Sequence, residues 1–413
     1  MENNFIKIVF LAVLFGIYSC GDTTDTITPT LLAGDWRAEM QLVEGVKMPF
    51  NVTVRKENEV FNFSFKNGEE ILPTSDVVIK GDSVFVKTAI FDSEFKLKIE
   101  NDSTLSGLWY NYYKAPDYAL AVTFNRGENF RFQEKPTTSA ELGKKYAITF
   151  GAGTEDEYKA IGLFEQNGTQ LSGSFATETG DYRYLEGQVI GQTMYLSTFD
   201  GSHAFLFIAA IEDSIIDGTF YSGNHYQESF NGYINDSITL KDPDSLTFLK
   251  KDYSRIYFEF ESLKGDTVKL TDERFENKVV LLQIMGSWCP NCMDESVFFK
   301  QLHEQYSSEG LEVVALAFER AKTKEKSIKN LNRMQEKLQL PYSILLAGET
   351  REVNAADQLP MLNHIMSYPT SILIGKNGDI LSIHTGFYGP STGSYYDRYV
   401  EKMNQKIKEA LKD

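Results

Sequence analysis

The chain has 413 residues, of which 42% are hydrophobic and 24% charged. At roughly 150 residues per domain this length predicts two or three domains, and the composition is that of an ordinary globular protein, too polar for a multi-span membrane protein. The net charge is −17, from 41 Lys and Arg against 58 Asp and Glu, so the surface repels polyphosphate and no nucleic-acid partner is predicted.

The first residues have the pattern of an export signal. Residues 8–18 are an apolar run that is too short to span a bilayer as a stable helix. The run leads into residues 17–20 (Ile-Tyr-Ser-Cys), which resemble the lipobox of bacterial lipoproteins, where the signal is cleaved before a cysteine that becomes lipidated. The resemblance implies a signal peptide over residues 1–19, a lipid on Cys20 and a solvated tether over residues 20–33. The alternative is a buried N-terminal helix or strand with an incidental cysteine.

From residue 34 to residue 236 the hydrophobic pattern has a period of two. Phe61, Phe63 and Phe65 alternate with polar residues, and turn residues recur about every 8 to 12 positions. The pattern predicts a meander of short antiparallel strands, and the 13% of aromatic residues agrees with a large β component. We interpret the many Tyr and Phe side chains as strand-packing residues, with the lining of a ligand pocket as the alternative.

The β half also contains an internal repeat. Residues 102–110 (Asp-Ser-Thr-Leu-Ser-Gly-Leu-Trp-Tyr) resemble residues 213–221 (Asp-Ser-Ile-Ile-Asp-Gly-Thr-Phe-Tyr), and the offset is 213 − 102 = 111. We therefore predict two related β units, 34–130 and 140–236. They are two small barrels or sandwiches, or two halves of one larger one.

After a polar, Asp-rich linker over residues 237–255, strands alternate with helices over residues 256–413. Val279–Met285 is an apolar run broken only by Gln283, which is typical of a central strand buried on both faces. The other predicted elements are helices over 293–306, 326–340 and 395–411, and strands over 311–318, 342–346, 371–374 and 380–383.

The chemistry is predicted at Cys289 and Cys292, which form a C-x-x-C motif between a buried strand and a helix. Cys289 is expected at the helix N-terminus, where free N–H groups and the helix dipole stabilise a thiolate, and Cys292 one turn deeper, where it can attack a mixed disulfide. Two alternatives stay open. Zinc needs further ligands, which no other cysteine supplies and for which His303, His364 and His384 are the open candidates. An inert disulfide staple would close too short a loop to stabilise the fold much. No metal and no cofactor is predicted.

With these motifs the second half resembles the thioredoxin superfamily, and most closely its membrane-anchored thiol–disulfide reductases of the TlpA/ResA type. The resemblance covers about residues 256–413, not the β half, and implies a thioredoxin-like α/β domain there. The predicted fold class is therefore an N-terminal all-β duplicated meander, barrel- or sandwich-like, followed by this thioredoxin-like domain. The matching residues are Trp288, Cys289, Pro290, Asn291, Cys292, Glu295, Tyr368, Pro369 and Thr370, with the hairpin sequence of residues 375–380.

The resemblance also implies roles around the cysteines. Pro369 would be cis and lie opposite the cysteine pair, Tyr368 would offer backbone groups to a substrate strand, and Trp288 would pack beside the sulfurs. The alternatives are an ordinary strand-edge proline and a core tryptophan. Pro290 and Asn291 differ from the familiar Gly-Pro, and Asn291 carries no positive charge that would favour strongly oxidising behaviour.

Two further departures from the family pattern concern proton transfer and partner choice. Gln283 occupies the place where cytosolic thioredoxins carry a buried acid, so a proton-transfer role passes to Glu295 or to water. The segments 355–357 and 361–367 form an extra stretch before the proline, and we expect it to shape the choice of partner.

The prediction is a lipid-anchored, periplasm-facing thiol–disulfide oxidoreductase that acts as a disulfide reductase. Its partners would be a substrate protein disulfide and an upstream membrane thiol reductant. One alternative is a peroxiredoxin-like thiol peroxidase, although Gly286 stands where that family usually has threonine. The other is a surface binding lipoprotein whose β region is the main functional part.

Overall fold

The computed structural model of the protein describes residues 30–136, 140–350 and 355–412. The predicted signal peptide, the predicted lipidation site Cys20 and most of the predicted tether lie outside these residues. Within the described ranges no helix is long and apolar enough to cross a membrane.

The first β unit is a closed barrel of eight antiparallel strands. Its strands are β1 Gly34–Gln41, β2 Lys47–Glu57, β3 Val60–Asn67, β4 Glu70–Lys80, β5 Ser83–Thr88, β6 Ser93–Asn101, β7 Thr104–Asn111 and β8 Ala119–Arg126. Strands pair in chain order, and the pairing of β1 with β8 closes the ring. Phe63 and Phe65 on β3 point inward and are buried, as the period-two pattern predicts.

The second β unit is a ring of eight strands with one additional short strand. Its strands are β9 Lys145–Phe150, β10 Tyr158–Asn167, β11 Gln170–Thr177, β12 Gly180–Asp181, β13 Leu185–Ile190, β14 Thr193–Phe199, β15 Ala204–Glu212, β16 Ile215–Ser222 and β17 Tyr226–Ile234. The pairings of β9 with β17 and of β10 with β11 close the ring, and β12 pairs with β11. Of the architectures that the repeat left open, the structure therefore has two barrels.

The two barrels share their strand order, as the internal repeat predicts. β6 and β7 begin 111 residues before β15 and β16 (204 − 93 and 215 − 104). The correspondence fails at β4, which runs unbroken for 11 residues, whereas the same stretch of the second barrel is divided into β12 and β13. The interruption includes Arg183, whose φ of 58° is an uncommon left-handed conformation for a residue other than glycine.

The barrels pack against each other through side chains of the second barrel that enter the core of the first. Phe199, at the end of β14, is fully buried there. Its ring stacks on Phe50 at 4.8 Å and meets Phe65 edge-on at 4.9 Å. Arg131, from the connection between the barrels, donates to the Ser197 hydroxyl and to the Asn67 side chain, both at 2.9 Å. The two barrels are thus joined by a shared apolar core and by a buried arginine.

The C-terminal part of the chain is a seven-stranded mixed sheet with four helices. Its strands are β18 Glu259–Ser262, β19 Thr267–Lys269, β20 Val279–Met285, β21 Leu311–Glu319, β22 Ser343–Glu349, β23 Thr370–Ile374 and β24 Ile380–Thr385, and its helices are α1 Pro290–Tyr306, α2 Lys324–Leu338, α3 Ala355–Gln358 and α4 Ser394–Lys412. The strand order is β19-β18-β22-β21-β20-β23-β24. β20 runs parallel to β21 and antiparallel to β23, and all seven of its residues are buried, as predicted for a central strand.

Helices α1, α2 and α4 cover one face of this sheet, where Phe299, Leu331 and Ile407 are buried in a common core. The same core includes Phe91 and Tyr113 of the first barrel, so a barrel packs directly against the C-terminal domain. The linker is also attached to this domain, because the Asp244 carboxylate lies 2.6 Å from the His384 Nδ1, within hydrogen-bond distance. The predicted boundaries between the units stay predictions.

Candidate active site

β20 leads directly to the N-terminus of α1, where Cys289 and Cys292 form a disulfide with their Cα atoms 5.2 Å apart. Cys289 is the N-cap residue of α1, and the backbone N–H of Cys292 donates to the Cys289 Sγ at 3.1 Å. Pro290 follows in the first helical turn, where the N–H group that proline lacks would have no helical partner. The helix therefore begins at Pro290, three residues before its predicted start at residue 293. The N–H group and the helix dipole favour a thiolate at Cys289 once the disulfide is reduced.

The two sulfurs differ in depth. Cys289 is 5% exposed and Cys292 is 0% exposed. A partner sulfur therefore reaches Cys289 first. Cys292 is accessible only to the neighbouring Cys289 sulfur, from within the first turn of α1.

The loop before β23 faces the disulfide. The Tyr368–Pro369 peptide bond is cis, as the resemblance implies. The Tyr368 carbonyl oxygen lies 3.4 Å from the Cys289 Sγ. Trp288 packs edge-on against the Tyr368 ring at 5.3 Å, and its indole N–H donates to the Phe318 carbonyl at 2.9 Å. The Arg320 guanidinium lies over the Trp288 ring, 3.3 Å from its centroid. These contacts hold the aromatic wall of the site in one position.

A buried polar network below the disulfide is centred on Glu295. Its carboxyl group accepts a hydrogen bond from the Gln283 side-chain amide at 2.9 Å and one from the Tyr399 hydroxyl at 3.0 Å. The same Gln283 amide donates to the Cys292 carbonyl at 3.2 Å. Burial raises the pKa of Glu295 to about 8, against the opposing effect of the two hydrogen bonds. A largely protonated carboxyl group at neutral pH is therefore connected to Cys292 through one glutamine.

A second buried carboxyl group holds the loop that precedes Cys289. Glu319, the last residue of β21, accepts from the Ser287 backbone N–H at 2.7 Å and from the Ser287 hydroxyl at 2.6 Å. Burial raises the pKa of Glu319 to about 7. The Ser287 hydroxyl shares a further hydrogen bond with Tyr113 of the first barrel at 3.1 Å. Glu319 is not among the site residues predicted from the sequence. The signal for it is a charged residue at the end of an otherwise apolar strand.

An arginine of the second barrel pairs with the active-site helix. The Arg183 guanidinium donates twice to Asp294, with contacts of 2.8 and 2.9 Å, and also pairs with Glu70 of the first barrel at 2.5 Å. A third carboxylate, Asp200 of the second barrel, lies 3.6 Å away. Burial opposes the charge of Asp200, but His203 and Arg183 hold its pKa at about 2. This buried cluster joins both barrels to α1.

Eight of the nine predicted site residues lie together in the structure, and the ninth, Cys20, lies outside the described residues. Within the described ranges no three or more His, Cys, Asp or Glu side chains are arranged to hold a metal ion. The residues that surround the disulfide are Trp288, Cys289, Pro290, Asn291, Cys292, Glu295, Tyr368 and Pro369.

A disulfide at the N-terminus of a helix, following a buried central strand and facing a cis-proline, defines a thioredoxin-like disulfide-exchange domain. A sequence model of the Redoxin family matches residues 255–398 and leaves the two barrels unmatched. The chain is 28% identical over 131 residues to thiol-disulfide oxidoreductase ResA of Halalkalibacterium halodurans, covering 32% of this chain and 66% of ResA. It is 31% identical over 129 residues to thioredoxin-like protein YneN of Bacillus subtilis, covering 31% of this chain and 68% of YneN.

The chain spans slightly less than two thirds of the length of ResA, at 66%. A solved structure of a thiol:disulfide interchange protein of the thioredoxin family from Chlorobium tepidum is 17% identical, with a TM-score of 0.30, covering 38% of this chain and 95% of that one. The chain belongs to the TlpA/ResA-like thiol–disulfide oxidoreductases of the thioredoxin superfamily.

Proposed function

We propose that this protein is a thiol–disulfide oxidoreductase that works as a disulfide reductase on other proteins. The observation that carries the proposal is the Cys289–Cys292 pair at the start of α1, facing the cis Tyr368–Pro369 bond. The likeness to thiol-disulfide oxidoreductase ResA and thioredoxin-like protein YneN supports thiol–disulfide exchange, and the direction of electron flow is part of the proposal.

The reaction starts from the reduced pair. The Cys289 thiolate attacks one sulfur of a substrate disulfide, which breaks the substrate S–S bond and forms a mixed disulfide, while the other substrate sulfur leaves as a thiolate and takes a proton. The Cys292 thiolate then attacks the Cys289 sulfur, forms the intrachain disulfide and expels the second substrate thiolate, which is also protonated. Two electrons and two protons pass from the cysteine pair to the substrate, and an upstream membrane dithiol returns them.

Glu295 supplies the proton transfer that the second step needs. Cys292 must lose its proton inside a buried helix turn. The ionised form of Glu295, the minor form at neutral pH, accepts this proton at a small energetic cost because the pKa of the carboxyl group is raised toward that of a thiol. Burial places the pKa of Glu295 at about 8, close to the roughly 8.5 of an ordinary cysteine. Gln283 holds Glu295 beside the Cys292 backbone.

The proposed location is the cell envelope, with a lipid on Cys20 and the redox domain facing the periplasm. The support is the lipobox-like sequence of residues 17–20. A protein exported in this way meets disulfide-bonded partners, because disulfides persist outside the reducing cytoplasm. Incorporation of labelled fatty acid, lost in Cys20→Ser, tests the anchor, and unlabelled wild-type protein would contradict it.

The test of the activity uses the reduced full chain and a small protein with an accessible disulfide, such as insulin. We expect Cys289→Ser to abolish reduction and Cys292→Ser to accumulate a mixed disulfide that reducing agent releases. Wild-type reduction by Cys289→Ser would contradict the proposal. Peroxide consumption by the wild-type protein, faster than disulfide reduction, would favour a thiol peroxidase instead.

A further inference from the structure

A turn of the second barrel fills the groove beside the disulfide. We call residues 177–181 the docking turn. It comprises the last residue of β11, the two connecting residues and β12, and Thr177 pairs with Gly180. Its backbone is in direct contact with the C-terminal domain: a Cβ atom added to Gly386 would lie 2.6 Å from the Thr179 carbonyl carbon. A Cβ atom on Gly180 would lie 2.8 Å from the Asn291 side-chain nitrogen. The docking turn therefore leaves no room for another polypeptide at this place.

Three side chains from three separate segments of the C-terminal domain donate to backbone carbonyls of the docking turn. Asn291 lies between the two cysteines, Ser367 lies directly before the Tyr368–Pro369 bond, and Tyr388 lies after β24. The hydrogen bonds are Tyr388 hydroxyl to Thr177 carbonyl at 2.9 Å, Ser367 hydroxyl to Thr179 carbonyl at 2.6 Å, and Asn291 amide to Asp181 carbonyl at 3.1 Å. Because all three acceptors are main-chain oxygens, these three hydrogen bonds do not depend on the side chains of the turn.

One side chain of the docking turn adds to the attachment. The Asp181 carboxylate accepts from the backbone N–H of Gly389 at 2.6 Å, from the Asn291 amide at 3.3 Å and from the Ser391 hydroxyl at 3.4 Å. Next to the turn, a cavity of about 180 Å³ is lined by Tyr158, Arg183, His203 and Asn291 among others. The turn is thus held by a few hydrogen bonds beside an empty space, in contrast to the close packing of a protein core.

The position of the docking turn conflicts with the reaction. Exchange between two proteins requires the Cys289 sulfur to line up with two partner sulfurs, yet Cys289 is only 5% exposed. The segments that a partner chain must approach, at Asn291 and Ser367, are those that hold the turn. A partner polypeptide and the docking turn therefore compete for one place.

We propose that Asn291, Ser367 and Tyr388 form a binding site for the backbone of a substrate polypeptide, and that the docking turn is an internal ligand of this site that the substrate displaces. The inference rests on the proposed function and identifies its substrate class as a polypeptide turn or loop that presents main-chain carbonyls. Small thiols need no such displacement, so the docking turn discriminates by size.

The experiment compares two reductants on the oxidised full chain: dithiothreitol, and reduced thioredoxin as a protein dithiol. Asp181→Ala removes the carboxylate that accepts from Gly389, Asn291 and Ser391, and keeps the side chains of all three donors of the proposed binding site, with their bonds to main-chain carbonyls. We expect it to raise the rate with reduced thioredoxin at least about fivefold, the effect of one typical hydrogen bond, while the rate with dithiothreitol changes less than about twofold. Asp217→Ala, at an exposed position on β16 of the same barrel, is the matched control and should leave both rates unchanged.

A second comparison tests the donors themselves. In the Asp181→Ala background, Ser367→Ala should raise the KM for reduced thioredoxin about fivefold with little change in kcat, because a substrate contact is lost after the turn is already released. Equal rates of reduction by thioredoxin in wild type and a folded Asp181→Ala variant would contradict the role of the docking turn as an internal ligand. An unchanged KM for thioredoxin on adding Ser367→Ala would contradict the substrate-binding site. If the reduced protein reduces no protein disulfide in any variant, the proposed function fails instead.

Discussion

Arg183 of the second barrel forms a two-point ion pair with Asp294, which follows Cys292 by two residues on α1. The side chain of Arg183 is 3% exposed, and the same guanidinium pairs with Glu70 of the first barrel. A single buried cation is therefore shared by both barrels and the active-site helix. The redox domain and the β half are parts of one packed structure, which agrees with a role of the barrels at the active site.

Removing the two partners of this ion pair should have unequal effects. Arg183→Met removes the counter-charge that Glu70, Asp200 and Asp294 share and leaves Asp200 its contact with His203, and we expect a loss of about 3–5 kcal/mol in the free energy of unfolding. Asp294→Asn leaves the arginine with two carboxylates, so the loss should stay below about 2 kcal/mol. Urea unfolding at neutral pH measures both values. Equal, small losses would show that the cluster does not stabilise the assembly.

Phe199 belongs to the second barrel in sequence but should stabilise the first. Its ring lies 5.2 Å from that of Trp109 in the core of the first barrel. Phe199→Ala should cost about 3–5 kcal/mol, because the barrel wall cannot collapse into the space that the ring leaves. The fluorescence of the buried Trp109 and Trp36 follows the unfolding of the first barrel. Val60→Ala, at a side chain that is 56% exposed, is the control and should have little effect.

The raised pKa of Glu295 predicts a dependence of stability on pH. Because the folded protein holds the Glu295 proton up to a pKa of about 8, whereas an unfolded glutamate releases it near 4.5, folding takes up a proton between these values. The contribution of Glu295 to the free energy of unfolding is therefore fully present below about pH 4.5. It decreases as the pH rises toward 8, by at most about 1.4 kcal/mol per pH unit.

Glu295→Gln cannot titrate and should make this part of the profile less steep, measured by urea unfolding of the oxidised proteins at several pH values. The slope that the raised pKa of Glu319 contributes should remain. Glu304→Gln, on the same helix with a side chain that is 58% exposed, should retain the wild-type slope. Parallel profiles for wild type and Glu295→Gln would contradict a raised pKa at this position.

The strands of both barrels follow from local pattern because each strand has one buried face, as at Phe63 and Phe65. The closure of the barrels does not follow from local pattern, because it depends on strand pairs that are distant in the sequence, such as Trp36 with Arg126 in the first barrel. The edge strand β19 and its neighbour β18 were not predicted because they are short and mostly polar, with Phe260 only partly buried.

The candidate site divides in the same way. Cys289, Cys292 and Pro369 belong to motifs with characteristic neighbours, so the resemblance locates them. Arg183 and Asp294 are 111 residues apart and carry no motif, and they meet only because the second barrel docks on α1. Contacts between domains depend on tertiary packing, which neither periodicity nor spacing encodes.

The most direct test of the central claim is the reduction potential of the Cys289–Cys292 pair in the full chain without its first 20 residues, measured by thiol trapping across a series of redox buffers. The account predicts a potential near that of thioredoxin, about −270 mV, as a reductase requires. A potential near that of DsbA, about −120 mV, would contradict it and indicate a disulfide-forming oxidase.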